Sequence, residues 1–525
     1  MPLSITKYNS DEAKSRRRQR ARARYRALSS GGGSGRSLQE ALDYYGGLWF
    51  AFQDLSNGAV ASFTSHEGLG QVLTQGTGTA QPTKSATGIS YDGGDVLPRA
   101  TNTCKFIRRV TVPDSTWGMP SGGTGKGFTC TGMCRIPGTN ELWMANHGDQ
   151  SAAKDGTGPF DPSLIRVSYA NGVLTKLQEI RISPLIPGIG SIQDVTFDTS
   201  DNTLWFASAS AVTGVYHITQ AGTLLGDTIT ASWAPNGLAY VPGEDAIWIG
   251  QNATSGDGLE KRSCSTGAVI VASVVTGLAS QDMLHYDSAT GGLLMSYMGN
   301  GSPGQIRCYG TTGTSGARVS TGDIVTDTHA DCVEGILWEG TTLLVLSDGF
   351  YHSGADPLNQ LVEYKIVPPF ANEINVCFRA QNVSNSGADS YVEIGNTADG
   401  ALDGPGFGVY IASATTMTVV FNTANGNTQR ALISGVTVPN LTTQFRTISV
   451  NINRNTGLLS LYVDGALITT ASTSACVGGF PTAFPLRLGG AANAARFYTG
   501  SEKDVIMVTG PVNRNAVEAY LNALP

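Results

Sequence analysis

Gly88-Ile-Ser-Tyr-Asp-Gly-Gly-Asp-Val-Leu97 and Ala371-Asn-Glu-Ile-Asn-Val-Cys-Phe-Arg379 are the two stretches that decide the fold. Both read as strands: β-branched and aromatic residues bounded by Gly, Asn and Asp. Joined together they make neighbouring strands of a single β-sandwich. Residues 104–367 lie between them and repeat with a period of their own. The sequence therefore predicts a discontinuous sandwich with a second β structure looped out of it.

The insert repeats one plan five times: an inner strand with a small polar step, a turn, then a strongly apolar strand. The units are Thr131-Gly-Met…Leu142-Trp-Met-Ala145, Gln193-Asp-Val…Leu204-Trp-Phe-Ala207, Asn236-Gly-Leu…Ile247-Trp-Ile-Gly250, Gln281-Asp-Met…Leu293-Leu-Met-Ser296 and Glu334-Gly-Ile…Leu343-Leu-Val-Leu346. Trp143, Trp205, Trp248, Leu294 and Leu344 mark the repeat, at spacings of 43–62 residues. Further strands follow, such as Leu164–Tyr169, Gly214–Ile218 and Gln360–Lys365. About 45 residues make one four-stranded blade of a β-propeller. Five blades closing a ring need an outer strand for the last one, and Lys105–Val112 is expected to supply it. That closure brings residues 104 and 367 together, as an insertion requires.

The flanks complete the sandwich. Thr447–Asn453 alternates apolar and polar, Asn455-Thr-Gly457 turns, and Leu459–Ile468 forms a hairpin around Asp464-Gly465. A short helix is expected at Asn513–Leu521, and another at Leu38–Tyr45. The predicted division is an arm and linker at 1–36, the first part of the sandwich at 37–103, the propeller at 104–367, and the second part of the sandwich at 368–525.

Charge is unevenly placed. The chain carries −7 overall, yet residues 1–36 hold ten Lys and Arg against Asp11 and Glu12. Arg16, Arg17, Arg18, Arg20, Arg22, Arg24 and Arg26 stud a stretch of good helix formers, 11–28, followed by the flexible Ser29-Ser-Gly-Gly-Gly-Ser-Gly35. A basic helix without an apolar face cannot fold by burial, so the arm is expected to dock on an acidic protein surface. Nucleic acid fits less well, because Tyr25 is the one aromatic residue among the charges. No apolar run approaches the ~20 residues of a membrane span, and the N-terminus lacks the apolar core of a secretory signal. The eight cysteines follow no metal-ligand spacing and read as buried thiols.

Two resemblances follow from these residues. Pro235-Asn-Gly-Leu-Ala-Tyr240 with Ile247-Trp-Ile249, and Val333-Glu-Gly-Ile-Leu-Trp338 with Leu343…Ser347-Asp-Gly349, resemble blades of gluconolactonase-type propellers. Tyr462-Val-Asp-Gly465, Gly489-Gly490 and the early Tyr91-Asp-Gly-Gly-Asp95 are similar to laminin-G-like or concanavalin-A-like jelly rolls. The first resemblance implies a ligand-binding funnel at Gln193, Asp194, Asn236, Gln281, Asp282 and Glu334. Such hard oxygen donors suit a divalent cation such as calcium, with Asp348 nearby. The plainer alternative is that these groups bond to neighbouring blades and to water. The second resemblance implies calcium near Asp92, Asp95 and Asp504, with Asp464 better read as hairpin chemistry. It also implies sugar contacts at Tyr410, Phe421 or Tyr498. No hydrolase, protease or nucleotide motif is present, and His147, His285 and His329 stand alone near the blade ends.

An anchoring arm on a tether, two rigid recognition scaffolds and no export signal suit a bacteriophage virion component: a tail fibre, tailspike or head fibre, assembled in the host cytoplasm. The expected partners are other virion proteins, a host-surface glycan and further copies in a homo-oligomer. No cofactor is expected beyond the cation. The rivals are a glycan depolymerase or lactonase-like hydrolase with its site in the funnel, and a capsid or tail decoration protein without receptor binding.

Overall fold

The structure is a computed structural model. It describes residues 47–50, 58–60, 62–64, 67–68, 72–74, 81–85, 88–92, 97–98, 102–112, 129–148, 161–209, 212–251, 258–275, 281–288, 290–297, 304–311, 318–326, 329–330, 332–348, 359–366, 372–382, 389–395, 405–423, 427–477, 486–489, 499–510 and 512–523. The expected helices at 11–28 and 38–45, and the seven arginines of the arm, lie outside these residues.

The early strands are short: β1 (Gly47–Phe50), β2 (Gly58–Ala59), β3 (Ser62–Thr64), β4 (Glu67–Gly68), β5 (Val72–Thr74), β6 (Thr83–Ser85), β7 (Gly88–Asp92), β8 (Leu97–Pro98) and β9 (Asn102–Thr103). Pieces of this length are not stable alone; β1, β7 and β8 pair with strands from the other end of the chain.

Next comes a five-bladed propeller. An outer strand, β10 (Lys105–Thr111), precedes four complete blades. Blade 1 is β11 (Cys130–Arg135), β12 (Glu141–Asn146), β13 (Ser163–Ala170) and β14 (Val173–Arg181). Blade 2 is β15 (Asp194–Asp198), β16 (Thr203–Ser208), β17 (Gly214–Thr219) and β18 (Leu224–Ile229). Blade 3 is β19 (Pro235–Val241), β20 (Ala246–Gln251), β21 (Gly258–Ser263) and β22 (Val269–Val275). Blade 4 is β23 (Gln281–Asp287), β24 (Gly292–Tyr297), β25 (Gln305–Thr311) and β26 (Arg318–Val325). Blade 5 has β27 (Val333–Glu339), β28 (Thr342–Asp348) and β29 (Asn359–Lys365), and β10 completes it.

The five inner strands β11, β15, β19, β23 and β27 pack side by side, and β27 returns to β11. Between each pair of blades lies an apolar core. Trp143 of blade 1 packs into blade 2, Trp205 of blade 2 into blade 3, and Trp248 of blade 3 into blade 4. Leu294 and Leu344 hold the same place toward blades 5 and 1. All five are nearly or completely buried. The ring is stitched where the chain comes in: β9 lies parallel to β26 of blade 4, and β10 lies antiparallel to β29 of blade 5. Lys105 is the Cα partner of Lys365, so the ends of the insert are neighbours.

The rest of the sandwich is β30 (Glu373–Asn382), β31 (Asp389–Gly395), β32 (Gly406–Ser413), β33 (Thr416–Asn422), β34 (Arg430–Thr437), β35 (Arg446–Asn453), β36 (Leu458–Val463), β37 (Ala466–Ser472), β38 (Leu486–Leu488) and β39 (Thr499–Val508). One sheet runs β2-β6-β7-β39-β30-β35-β36-β37, with β1 also on β39; the other runs β34-β33-β32-β31-β38-β8. Thus β39 receives both β7, through Ile89 opposite Glu502, and β1, through Leu48 opposite Met507. Alternate residues of the two sheets fill one core, including Val376, Phe378, Phe407, Val409, Val450 and Leu461.

Helix α1 (Arg514–Asn522) covers β30 and β35. The Asn513 side chain caps it by accepting from the Ala516 amide at 3.2 Å. Asp464 and Gly465 turn the β36–β37 hairpin at φ +48° and +87°, and the Asp464 carboxylate accepts from the Thr447 amide at 2.8 Å. Hairpin chemistry accounts for that aspartate. All eight cysteines are buried thiols that form no disulfide.

Candidate functional site

The polar steps of the five inner strands converge on the propeller axis. Asp194 occupies the centre. It is 1% exposed, and its carboxylate accepts from the amides of Val195 and Leu238, each at 2.7 Å. The Leu284 amide also donates to it. One carboxylate therefore ties together blades 2, 3 and 4. Blade 1 makes room with glycine: a Cβ on Gly132 would stand 2.1 Å from Asp194 Oδ1. Blade 5 brings Glu334, 5% exposed, whose charge opposes that of Asp194. Burial pushes Glu334 up to about 8. Burial also raises Asp194, against three amide bonds that favour its ionised form. Burial thus favours the protonated form of both carboxyls, while the amide bonds to Asp194 oppose that effect there.

The neighbouring predicted residues are engaged in the same way. Asn236 Nδ2 donates to Asp282 Oδ1 at 2.7 Å, joining blades 3 and 4. Gln193 donates to Ser191 at 3.0 Å within its own turn. Gln281 begins β23 beside Asp282; its side chain and that of Asp348 lie outside the described residues. Of the six predicted residues, Asp194, Asn236 and Asp282 are engaged across blades through their side chains. These three link neighbouring blades as a clasp, and Asp194 and Glu334 are buried.

A pocket of about 370 Å³ lies on the same axis, at the far ends of the inner strands. None of the six predicted residues lines it. Besides Tyr286 from blade 4, each blade instead contributes a planar residue at one repeated position: Arg135, Phe197, Tyr240, His285 and Trp338. Each of these stands three residues after its blade's step, which is Gly132, Asp194, Gly237, Asp282 and Gly335 in turn. That repeated offset was the available signal, and sequence reading missed it by stopping at the carboxylates. Tyr286, Asp287 and Glu339 complete the polar rim. Arg135 Nε lies 2.5 Å from Glu339 Oε1, so the pair bridges blades 1 and 5 at the mouth. Burial pushes His285 down to about 4, and the ring is neutral at physiological pH. The wall thus combines aromatic side chains that are largely buried between blades with polar groups at the rim.

Of the other predicted histidines, His147 Nδ1 meets the Gly148 carbonyl at 2.8 Å, and His329 stacks on Phe106 at 3.9 Å. In the sandwich, Tyr410 and Phe421 are buried rather than set on a sugar-binding face. Asp504 is also buried and accepts from Tyr520 at 2.7 Å, beneath α1. Among the described residues, one grouping with metal-ligand types is Asp198, Asp201 and His217. Its donors are already used: Asp198 accepts from Ser200 and Trp205, and Thr203 bonds to both Asp201 and His217. It is a turn network.

No protein-family model matches the chain, and no curated protein matches it. Solved structures give distant likenesses. The CBM40 of the Ruminococcus gnavus IT-sialidase bound to α2,3-sialyllactose is 15% identical over 29% of this chain and 84% of that one, with a TM-score of 0.24. A gluconolactonase of Xanthomonas campestris is 16% identical over 43% of this chain and 68% of that one, TM-score 0.28. A Trypanosoma rangeli sialidase mutant displaying trans-sialidase activity is 8% identical over 91% and 92%, TM-score 0.29. Likenesses this distant place the chain in no family.

Proposed function

We propose that this chain is a binding scaffold for glycans, carried on a virion as a tail fibre, tailspike or head fibre. The observation that carries the binding reading is the ring of planar side chains, one from each blade, around the axial pocket. Sugars present flat C–H faces to aromatic rings and hydroxyls to fixed polar groups, which is the chemistry the wall and rim offer. The virion part rests on the sequence: a dense basic arm, 1–36, joined by a Gly/Ser tether to a sandwich at 37–103 and 368–525 that carries a propeller at 104–367. The arm docks on other virion proteins, and the β domains face a host surface.

A panel of host-surface glycans probed with the full chain tests the binding reading. Retention of at least one glycan, abolished by Arg135→Gln with Glu339→Gln, is the expected result. No retention, or retention indifferent to that pair, refutes it. Truncation of residues 1–36 tests the virion reading, and normal incorporation of the truncated chain into particles would end it.

The hydrolase alternative has one point in its favour, the raised Glu334 acid. Glu334→Gln separates the two readings. Loss of polysaccharide cleavage with an unchanged melting temperature would support catalysis; the binding reading expects no cleavage by either protein.

A further inference from the structure

The axial pocket has a charge as well as a shape. The turns that lead from the inner strands to the second strands frame its mouth: Pro137 and Gly138, Thr199, Pro242 and Ser288 line it from blades 1 to 4. Three inner strands end in an acid at this level, Asp198, Asp287 and Glu339, and the turns of blades 2 and 3 add Asp201, Glu244 and Asp245. Asp287 and Glu339 line the pocket itself. No Lys or Arg lies on any of these turns. The nearby cations are fewer, and each is engaged. Among the described residues Arg135 is the one Lys or Arg of the lining, and Glu339 holds it at 2.5 Å. Lys261 pairs with Glu244. Arg318 donates to the Gly291 carbonyl and lies over the rings of Trp248 and Tyr286. His285, neutral at physiological pH, adds no positive charge.

We propose that this pocket takes an amino sugar, a saccharide unit with a free protonated amine, and turns acidic sugars away. The inference rests on the glycan-binding reading above and adds the sign of the ligand. A cleft lined mainly by one sign of charge concentrates the opposite sign and repels its own. An acidic sugar needs a cation to receive its carboxylate. Arg135 would have to give up Glu339 to serve, and that acid would then stand unpaired beside the incoming one, a like-charge contact that costs affinity. An ammonium requires no such exchange. It brings three N–H donors to a rim where Asp287, Glu339 and Ser288 carry acceptor oxygens, and the side chain of Glu339 is 43% exposed. The volume of about 370 Å³ is at the small end of ligand pockets, roughly 300–1,000 Å³, so the pocket suits a terminal unit rather than a long chain.

Isothermal titration of the full chain with the glucosamine disaccharide of chitosan, its N-acetylated counterpart and sialyllactose tests this. The first two share a backbone and differ at the amine, which is protonated at about pH 6, below the ~8 of an ordinary α-amino group. The free-amine form is expected to bind about tenfold more tightly than the N-acetylated one, with the preference shrinking in about 1 M salt; sialyllactose should not bind. Glu339→Gln should weaken the free-amine form about fivefold or more and the N-acetylated form less than about twofold. Glu179→Gln, on the outer strand β14, should change neither. Binding of the N-acetylated or the sialylated sugar as tight as that of the free amine overturns the charge inference and leaves the glycan reading standing. Binding of none of the three overturns the inference, and the wider glycan panel then decides the reading beneath it. Free lysine competing as well as the disaccharide would reduce the site to one for any ammonium and overturn the sugar part.

Discussion

Two residues on the axis carry the sharpest consequences. Asp194 holds three blades by hydrogen bonds, and Gly132 is the space it needs. Gly132→Ala should cost about 2 kcal/mol or more in urea unfolding, because the added methyl collides with a carboxylate that has nowhere to move. Glu334 acts through protons. Its value in the folded chain, about 8, lies above the ordinary 4.5, so the native state binds the proton more tightly than the unfolded chain does. The stability it contributes is fully present below about pH 4.5, declines as pH rises, and is lost above about pH 8, at up to about 1.4 kcal/mol per pH unit. Glu334→Gln should remove that decline, leaving the variant more stable than wild type at about pH 9 and near-equal at about pH 4.5. Urea titrations at the two pH values check it; parallel curves for the two proteins would contradict it. The residues of the clasp were legible in sequence because they share one step of the repeat. Their role was not, because spacing places a carboxylate on the axis without saying whether a ligand or a backbone amide meets it. The planar ring was equally regular, but Arg, Phe, Tyr, His and Trp share flatness rather than a residue class, so the repeat does not announce itself by composition.

At the scale of elements, the apolar second strands decide the ring. Trp143, Trp205 and Trp248 fill the gaps between successive blades, which is why those positions stand out in sequence while loop lengths vary. Trp248→Ala should cost about 3–5 kcal/mol, the range for emptying a large core site, and calorimetry of the full chain should show a lowered midpoint. It also removes the ring over which Arg318 sits at 5.0 Å. At α1, Asn513→Ala should cost about 1 kcal/mol through the lost cap. Hairpins and the C-terminal helix were readable because a turn pair or a cap is local. The pairing of β9 with blade 4 was not, since a two-residue parallel strand leaves no pattern in the sequence.

At the scale of the whole molecule, the chain makes its sandwich from segments hundreds of residues apart and carries the propeller between them. Short N-terminal strands become stable by lying along β39, which in turn is held by β30. Both parts of the proposed function would depend on that arrangement: in sequence the basic residues 1–36 precede the sandwich, and the sandwich carries the propeller with its pocket. Sequence revealed the break because the residues between the two strand-like runs repeat with a period of their own. It could not reveal which strand receives which, because register is set by burial on one face and not by local propensity. The register itself is open to test. Ser90 and Ser501 are Cα partners on β7 and β39, close enough for a disulfide, and the native cysteines are buried. Ser90→Cys with Ser501→Cys should form one new cross-link under mild oxidation, seen as a linked peptide by mass spectrometry and as faster migration on a non-reducing gel. A folded double variant that keeps both new thiols reduced would contradict the discontinuous sandwich.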